Sequence, residues 1–429
     1  MRHAEVEGPA DDGALHLQRP VLPEVLPEPQ ADQRQVQPAA PGAAVGHRLV
    51  TVISGDVRHV FHRCRGAPDA SAPDRSRALG RCSRPLQDRN EAHGCGKGGA
   101  GGQTAPVLTG ARTPQPWRGH ALGGLRWGDL DDGGALVVAV HGITANAAAW
   151  TAVAPRLLRD PATAVVSAVV APELRGRGAS RHLPGPWGLA QHADDVAAEV
   201  TALLDSRPGT GRDRPVALVG HSMGAFTLAA LAGRHPDLLG RLAGVVLVDG
   251  ALPLEAPPGA TPREAATAAL GPALARLQQT FTDPAEHRAL WAGHPALQDV
   301  PVDVVDAYAA RDISPATPQD GDGGRPSGGW RVPVSGEAVA QDMADLYEPA
   351  LVAPGLELLA ARDTPLLTCP RGLDDGAPLY APALVRRWRD RLPGLAVVEV
   401  PGTNHYSVLF ADAAADAVTA AVLSTLAAR

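Results

Sequence analysis

The sequence predicts an α/β fold, a mainly parallel central sheet with helices on both faces, interrupted by an inserted helical segment. Three observations predict it. From Trp117 onward, short apolar runs alternate with stretches of helical spacing, the signature of strands joined by crossover helices. The runs "ALVVAV", "AVVSAVV", "VALV" and "GVVLV" are almost continuously Val, Ala and Leu, as expected of strands buried on both faces. One of them leads directly into "GHSMG" (220 to 224), and helix formers follow at once.

In chain order, "GHALGGLRWGD" predicts a hairpin, 135 to 142 a buried strand and 164 to 173 another. Residues 188 to 206 place Leu189, Val196, Val200 and Leu203 on one helical face. The strand into Gly220 is followed by a helix to about His235 and the strand "GVVLVDG" (244 to 250). Later come the strand "TPLLTCP" (364 to 370), a helix over 381 to 392, the strand in "LAVVEVPGTNH" (395 to 405) and a terminal Ala-rich helix. Between them, 251 to 352 is an insertion. "TPREAATAALGPALARLQQTF" opens it with Thr261 as N-cap, Pro262 in the first turn and Glu264 completing a capping box. Leu270, Leu274, Leu277 and Phe281 share a face there, and "PAEHRALWAGH" and "VDVVDAYAARD" suggest two further helices before the flexible "SPATPQDGDGGRPSGGW".

Residues 1 to 105 differ in kind. They hold three of the four cysteines, scattered Pro, Arg, Gln and Gly, and only one stretch, "RLVTVISGDVRHVF", that could pass for a strand. The expectation is disorder, or an extension read from a start codon upstream of the true one. The domain division expected is therefore 1–105 as extension, 106–250 with 353–429 as the core, and 251–352 as the insertion.

Composition excludes several functions. A formal net charge of −7 argues against a nucleic-acid footprint. No apolar run approaches the roughly 18 residues that span a bilayer, and "MRHAEVEGPADDG" lacks the apolar core of a secretory signal; a cytoplasmic protein is expected. Cys64, Cys82, Cys95 and Cys369 show neither C-x-x-C spacing nor a matching histidine cluster, so no disulfide framework, metal site or cofactor is expected. The sequence does not address oligomeric state.

The chemistry centres on Ser222. A serine between two glycines, on the turn from a buried strand to a helix, fits G-x-S-x-G as a nucleophile elbow. A serine hydroxyl is weakly nucleophilic near neutral pH and needs a base to take its proton. His405, in the loop after the last predicted strand, is the candidate. An acid must then orient the histidine from a strand's C-terminal end. Asp249, Asp374 and Asp375 all stand at such positions.

The ordered set "HGITAN" (141 to 146), "PELRGRGAS" (172 to 180), "GHSMG", "LVDGALPL" (247 to 254), "RGLDD" (371 to 375) and "GTNHYSV" (402 to 408) resembles the α/β-hydrolase fold superfamily from about residue 117 to 429, apart from the insertion. The resemblance implies a Ser222, aspartate, His405 triad. Its G-x-x-D pattern favours Asp375 as the acid, with Asp249 and Asp374 as alternatives. It also implies an oxyanion hole from the backbone N–H groups of Ile143 and Met223, a loop-holding role for His141, and a cap formed by the insertion. The expected function is a serine esterase that cleaves a small to medium apolar, small-molecule substrate through an acyl-enzyme. Thioester, amide, lactone and carbon–carbon bond hydrolysis, or a non-catalytic binding role, stand as alternatives.

Overall fold

The apolar runs form the strands of one eight-stranded sheet. The computed structural model describes residues 113–159, 165–206, 214–317, 328–373 and 376–428; the expectation for residues 1 to 105 lies outside them. Strands β1 (Gln115–Arg118) and β2 (Gly123–Gly128) make a hairpin that begins upstream of the predicted "GHALGGLRWGD": the first residues of that stretch are its turn, closed by a 2.8 Å bond from the Gly119 N–H to the Leu122 carbonyl. There follow β3 (Ala135–Val140), α1 (Ala154–Leu157), β4 (Val166–Pro172), α2 (Leu189–Asp205), β5 (Val216–His221), α3 (Met223–Arg234), α4 (Pro236–Arg241) and β6 (Gly244–Val248). The inserted segment contributes α5 (Pro262–Leu277), α6 (Pro284–Ala292), α7 (Val302–Arg311), a two-residue pair β7 (Ser314–Pro315) and β8 (Trp330–Arg331), and α8 (Gly336–Asp345). The chain then runs through α9 (Pro349–Ala360), β9 (Pro365–Thr368), α10 (Pro382–Arg391), β10 (Ala396–Glu399), α11 (Ser407–Phe410) and α12 (Asp412–Ala427).

The strand order is β1-β2-β4-β3-β5-β6-β9-β10. β2 runs antiparallel to both neighbours, and every other pairing in this sheet is parallel. Because strand side chains alternate between faces, each central strand feeds two cores. Leu136, Val138 and Leu218 pack with α2, α3 and α9 on one face, whereas Val137, Ala217 and Val219 pack with α12 and the segment 147 to 157 on the other. The near-continuous apolar runs follow from this double burial.

The insertion begins as its sequence predicts. Thr261 Oγ1 accepts from the Glu264 N–H, and Glu264 Oε2 accepts from the Thr261 N–H. Between the expected helices of the insertion and β9 lie two not predicted from the sequence, α8 and α9. The expected border at residue 352 falls inside α9, whose Leu356 and Leu359 are fully buried on the core side. Helix α9 lies so close to α3 that a Cβ at Gly355 would sit 1.7 Å from the Ala229 carbonyl oxygen; only glycine permits that approach.

Candidate active site

Ser222 sits where β5 ends and α3 begins, at φ 53° and ψ −127°. Few non-glycine residues adopt this region, and holding one there costs about 1–3 kcal/mol. The flanking glycines make the turn possible. A Cβ at Gly220 would lie 2.5 Å from the Gly224 carbonyl oxygen, and one at Gly224 would lie 2.1 Å from that of Val140. The turn is pinned by a 2.9 Å bond from the Ser222 N–H to the Val248 carbonyl.

The loop after β10 brings His405 over this turn. Ser222 Oγ lies 2.9 Å from His405 Nε2, and His405 Nδ1 lies 2.7 Å from Asp249 Oδ2. Asp249, directly after β6, is wholly buried, and its other oxygen accepts the Cys369 N–H at 3.1 Å. Both carboxylate oxygens are thus engaged, and with Asp249 ionised the imidazole proton belongs on Nδ1. Nε2 is then free to accept from the serine hydroxyl. Asp374 and Asp375, the other acid candidates, lie outside the described residues.

Two more histidines surround this chain of contacts in neutral form. Burial lowers His141 to about 4. Its Nε2 accepts the Leu174 N–H at 3.0 Å, so the proton is on Nδ1, which donates to the Gly142 carbonyl at 2.7 Å. In a trans peptide the C=O and the next N–H point in opposite directions. By holding the Gly142 carbonyl, His141 therefore aims the Ile143 N–H the other way. Burial first, and then the neighbouring His405 ring, lowers His221 to about 3. Its Nε2 donates to the His405 carbonyl at 2.8 Å, so it supports the histidine loop from below.

Among the described residues, neither the Ile143 N–H nor the Met223 N–H is taken by a protein acceptor. Met223 opens the twelve-residue helix α3, where the helix dipole favours negative charge. Ser222, His405, Ile143, Phe226, Trp291, Tyr308 and Met343 are among the residues lining a cavity of about 170 Å³. Its roof comes from the insertion, through Leu270 of α5, Trp291 of α6, Tyr308 of α7 and Met343 of α8. No Asp, Glu, Arg or Lys lines it among the described residues.

Nothing in the sequence singles out Arg177 beyond its glycine-rich turn, yet its guanidinium is fully buried and donates from Nε to the Ile143 carbonyl at 3.0 Å. Its charge partner, Asp342, stands far along the chain in the insertion. No local pattern could have linked them.

Comparison with known proteins agrees with this architecture. The sequence profile of the Alpha/beta hydrolase family matches residues 137–421. Lipase LipV of Mycobacterium tuberculosis is 34% identical over 175 residues, which are 41% of this chain and 56% of that protein, little more than half its length. The 2-(acetamidomethylene)succinate hydrolase of Mesorhizobium japonicum is 29% identical over 278 residues, 64% of this chain and 82% of that protein. Among solved structures, E-2-(acetamidomethylene)succinate hydrolase superposes with a TM-score of 0.54 at 23% identity, covering 73% of this chain and 100% of that one. The peroxisomal alpha-beta-hydrolase Lpx1 from Saccharomyces cerevisiae also reaches 0.54, at 15% identity, covering 72% and 81%. At these identities the structures speak to the fold. With a family match across most of the chain and the sheet order described above, the protein belongs to the Alpha/beta hydrolase family.

Proposed function

We propose that this hydrolase is a serine esterase acting through an acyl-enzyme, with Ser222 as nucleophile, His405 as general base and Asp249, in place of the sequence-favoured Asp375, as the orienting acid. One observation carries the reading: an unbroken Ser222–His405–Asp249 contact chain, at 2.9 and 2.7 Å, on the floor of an apolar cavity.

Attack of Ser222 Oγ on an ester carbonyl passes its proton to His405 Nε2. Asp249 steadies the imidazolium through Nδ1–H. The carbonyl oxygen, now anionic, meets the N–H groups of Met223 and Ile143, which need no reorganisation to receive it. His405 returns the proton to the departing alkoxide, and water then repeats the sequence on the acyl-enzyme. The uncharged lining and small volume support a compact apolar acyl group. No cofactor enters this scheme.

Pre-steady-state hydrolysis of p-nitrophenyl esters tests it. A burst of about one equivalent of p-nitrophenol, abolished in Ser222→Ala, is the expected result wherever deacylation is slower than acylation. Retention of more than about a tenth of wild-type turnover in Ser222→Ala or His405→Ala would contradict the assignment, because triad members act as a unit.

A further inference from the structure

The inserted segment does more than roof the cavity. Arg177 is entirely buried, an expensive place for a guanidinium unless each charge and donor is answered. Its Nε donates to the Ile143 carbonyl at 3.0 Å, and its Nη1 donates to the Arg175 carbonyl at 2.9 Å. Its Nη2 lies 2.5 Å from Asp342 Oδ2, an ion pair without the alignment of a hydrogen bond. Asp342, on α8, is also fully buried; Oδ1 accepts the Gly188 N–H at 2.6 Å, and Oδ2 lies 3.0 Å from His192 Nε2. Burial alone raises the Asp342 carboxyl, but the Arg177 charge and His192 outweigh it and leave it below the usual carboxylate range.

The backbone around Arg177 is docked on the same segment. The Gly178 N–H donates to the Pro333 carbonyl, and the Ser335 N–H donates to the Gly176 carbonyl, both at 2.8 Å. The far end of the 142–146 loop is held similarly, by a 3.1 Å bond from Asn146 Nδ2 to Asp312 Oδ1 just beyond α7. The loop that carries the Ile143 N–H is thus gripped from the insertion at two points. Helix α8 also places Met343, next to Asp342, in the cavity wall.

We propose that Arg177 and Asp342 are positioning residues for oxyanion stabilisation: Asp342 of the insertion fixes Arg177, and Arg177 fixes the Ile143 backbone whose N–H meets the developing oxyanion. The proposal rests on the serine-esterase reading above. Neither side chain touches substrate. Their effect reaches the reaction only through the Ile143 Cα, which joins the peptide plane that Arg177 holds by its carbonyl to the preceding plane that carries the N–H, so it acts on the transition state and leaves ground-state binding alone.

The test compares wild type with Arg177→Met, Asp342→Asn and the double variant Arg177→Met/Asp342→Leu. The double variant removes both buried charges together, a change often neutral for folding, and it carries the test if either single variant fails to fold. Two quantities are read: kcat and KM for p-nitrophenyl butyrate, and the inhibition constant of a trifluoromethyl ketone, whose adduct with Ser222 places an oxyanion in the hole. The expected result is a fall in kcat of about 10- to 100-fold, smaller than outright loss of a donor, with KM within about threefold. Ketone affinity should weaken in proportion to kcat/KM, and the double variant should lose no more than the worse single one. Folded variants with wild-type kcat and ketone affinity would overturn the proposal, as would a loss confined to KM. A wild-type protein that neither turns over the ester nor binds the ketone would overturn the esterase reading and this inference with it.

Discussion

At Ser222, activity and backbone comfort pull in opposite directions. The residue holds φ 53°, which glycine tolerates and alanine does not. Ser222→Gly should therefore be inactive yet melt above Ser222→Ala; a lower melting temperature for the glycine variant would refute the strain account. Replacing Asp249 by Asn keeps its shape and removes the charge that selects the His405 tautomer, so kcat should fall by about 10³ to 10⁴. Full activity in Asp249→Asn would return the acid role to Asp374 or Asp375. The neutral histidines make a prediction of their own. Folded His141 and His221 titrate near 4 and 3, below the 6.5 of an unfolded histidine. In that interval the unfolded chain binds more protons, so the stability these two sites confer is fully present above about pH 7 and is lost as pH falls from 6.5 toward about 4 for His141 and about 3 for His221. Chemical denaturation at stepped pH should show this slope, and His221→Gln should flatten it.

At the scale of elements, the helices behind the elbow set how firmly it is held. Leu356 of α9 is fully buried against the face that holds α3, so Leu356→Ala should cost about 2–5 kcal/mol. Thr261→Ala, which removes only the exposed cap of α5, should cost about 1 kcal/mol, and urea midpoints distinguish the two. The parallel strands of the main sheet, α2, α3 and the capping box at Thr261 were all legible in the sequence, because each is written in local period or local chemistry; β1 and the short pair β7 and β8 were not. Helices α8 and α9 were not predicted; α9 carries Pro354 in its interior, where proline ordinarily breaks a helix. The acid was ambiguous for a topological reason. β6 and β9 are parallel neighbours in the sheet, so both strands end at the same edge, and sequence order cannot rank an aspartate that follows one over an aspartate that follows the other. The Arg177–Asp342 pair joins side chains distant in sequence and is visible only once the chain is folded.

Across the whole molecule, core and insertion together make one small apolar chamber over a strained serine. Its volume of about 170 Å³ lies below the range typical of sites for drug-sized ligands, so butyrate-sized acyl chains should give higher kcat/KM than dodecanoate-sized ones. A monotonic rise with chain length would mean that the roof opens far more than this arrangement suggests. An activated nucleophile at Ser222 can be trapped covalently without knowledge of the natural substrate. The protein is treated with a fluorophosphonate between pH 6 and 9, and the adduct is located by peptide mass spectrometry. A single adduct is expected, on Ser222, absent in Ser222→Ala and much slowed in His405→Ala and Asp249→Asn; no adduct across that range, or one on another residue, would rule out Ser222 as the nucleophile.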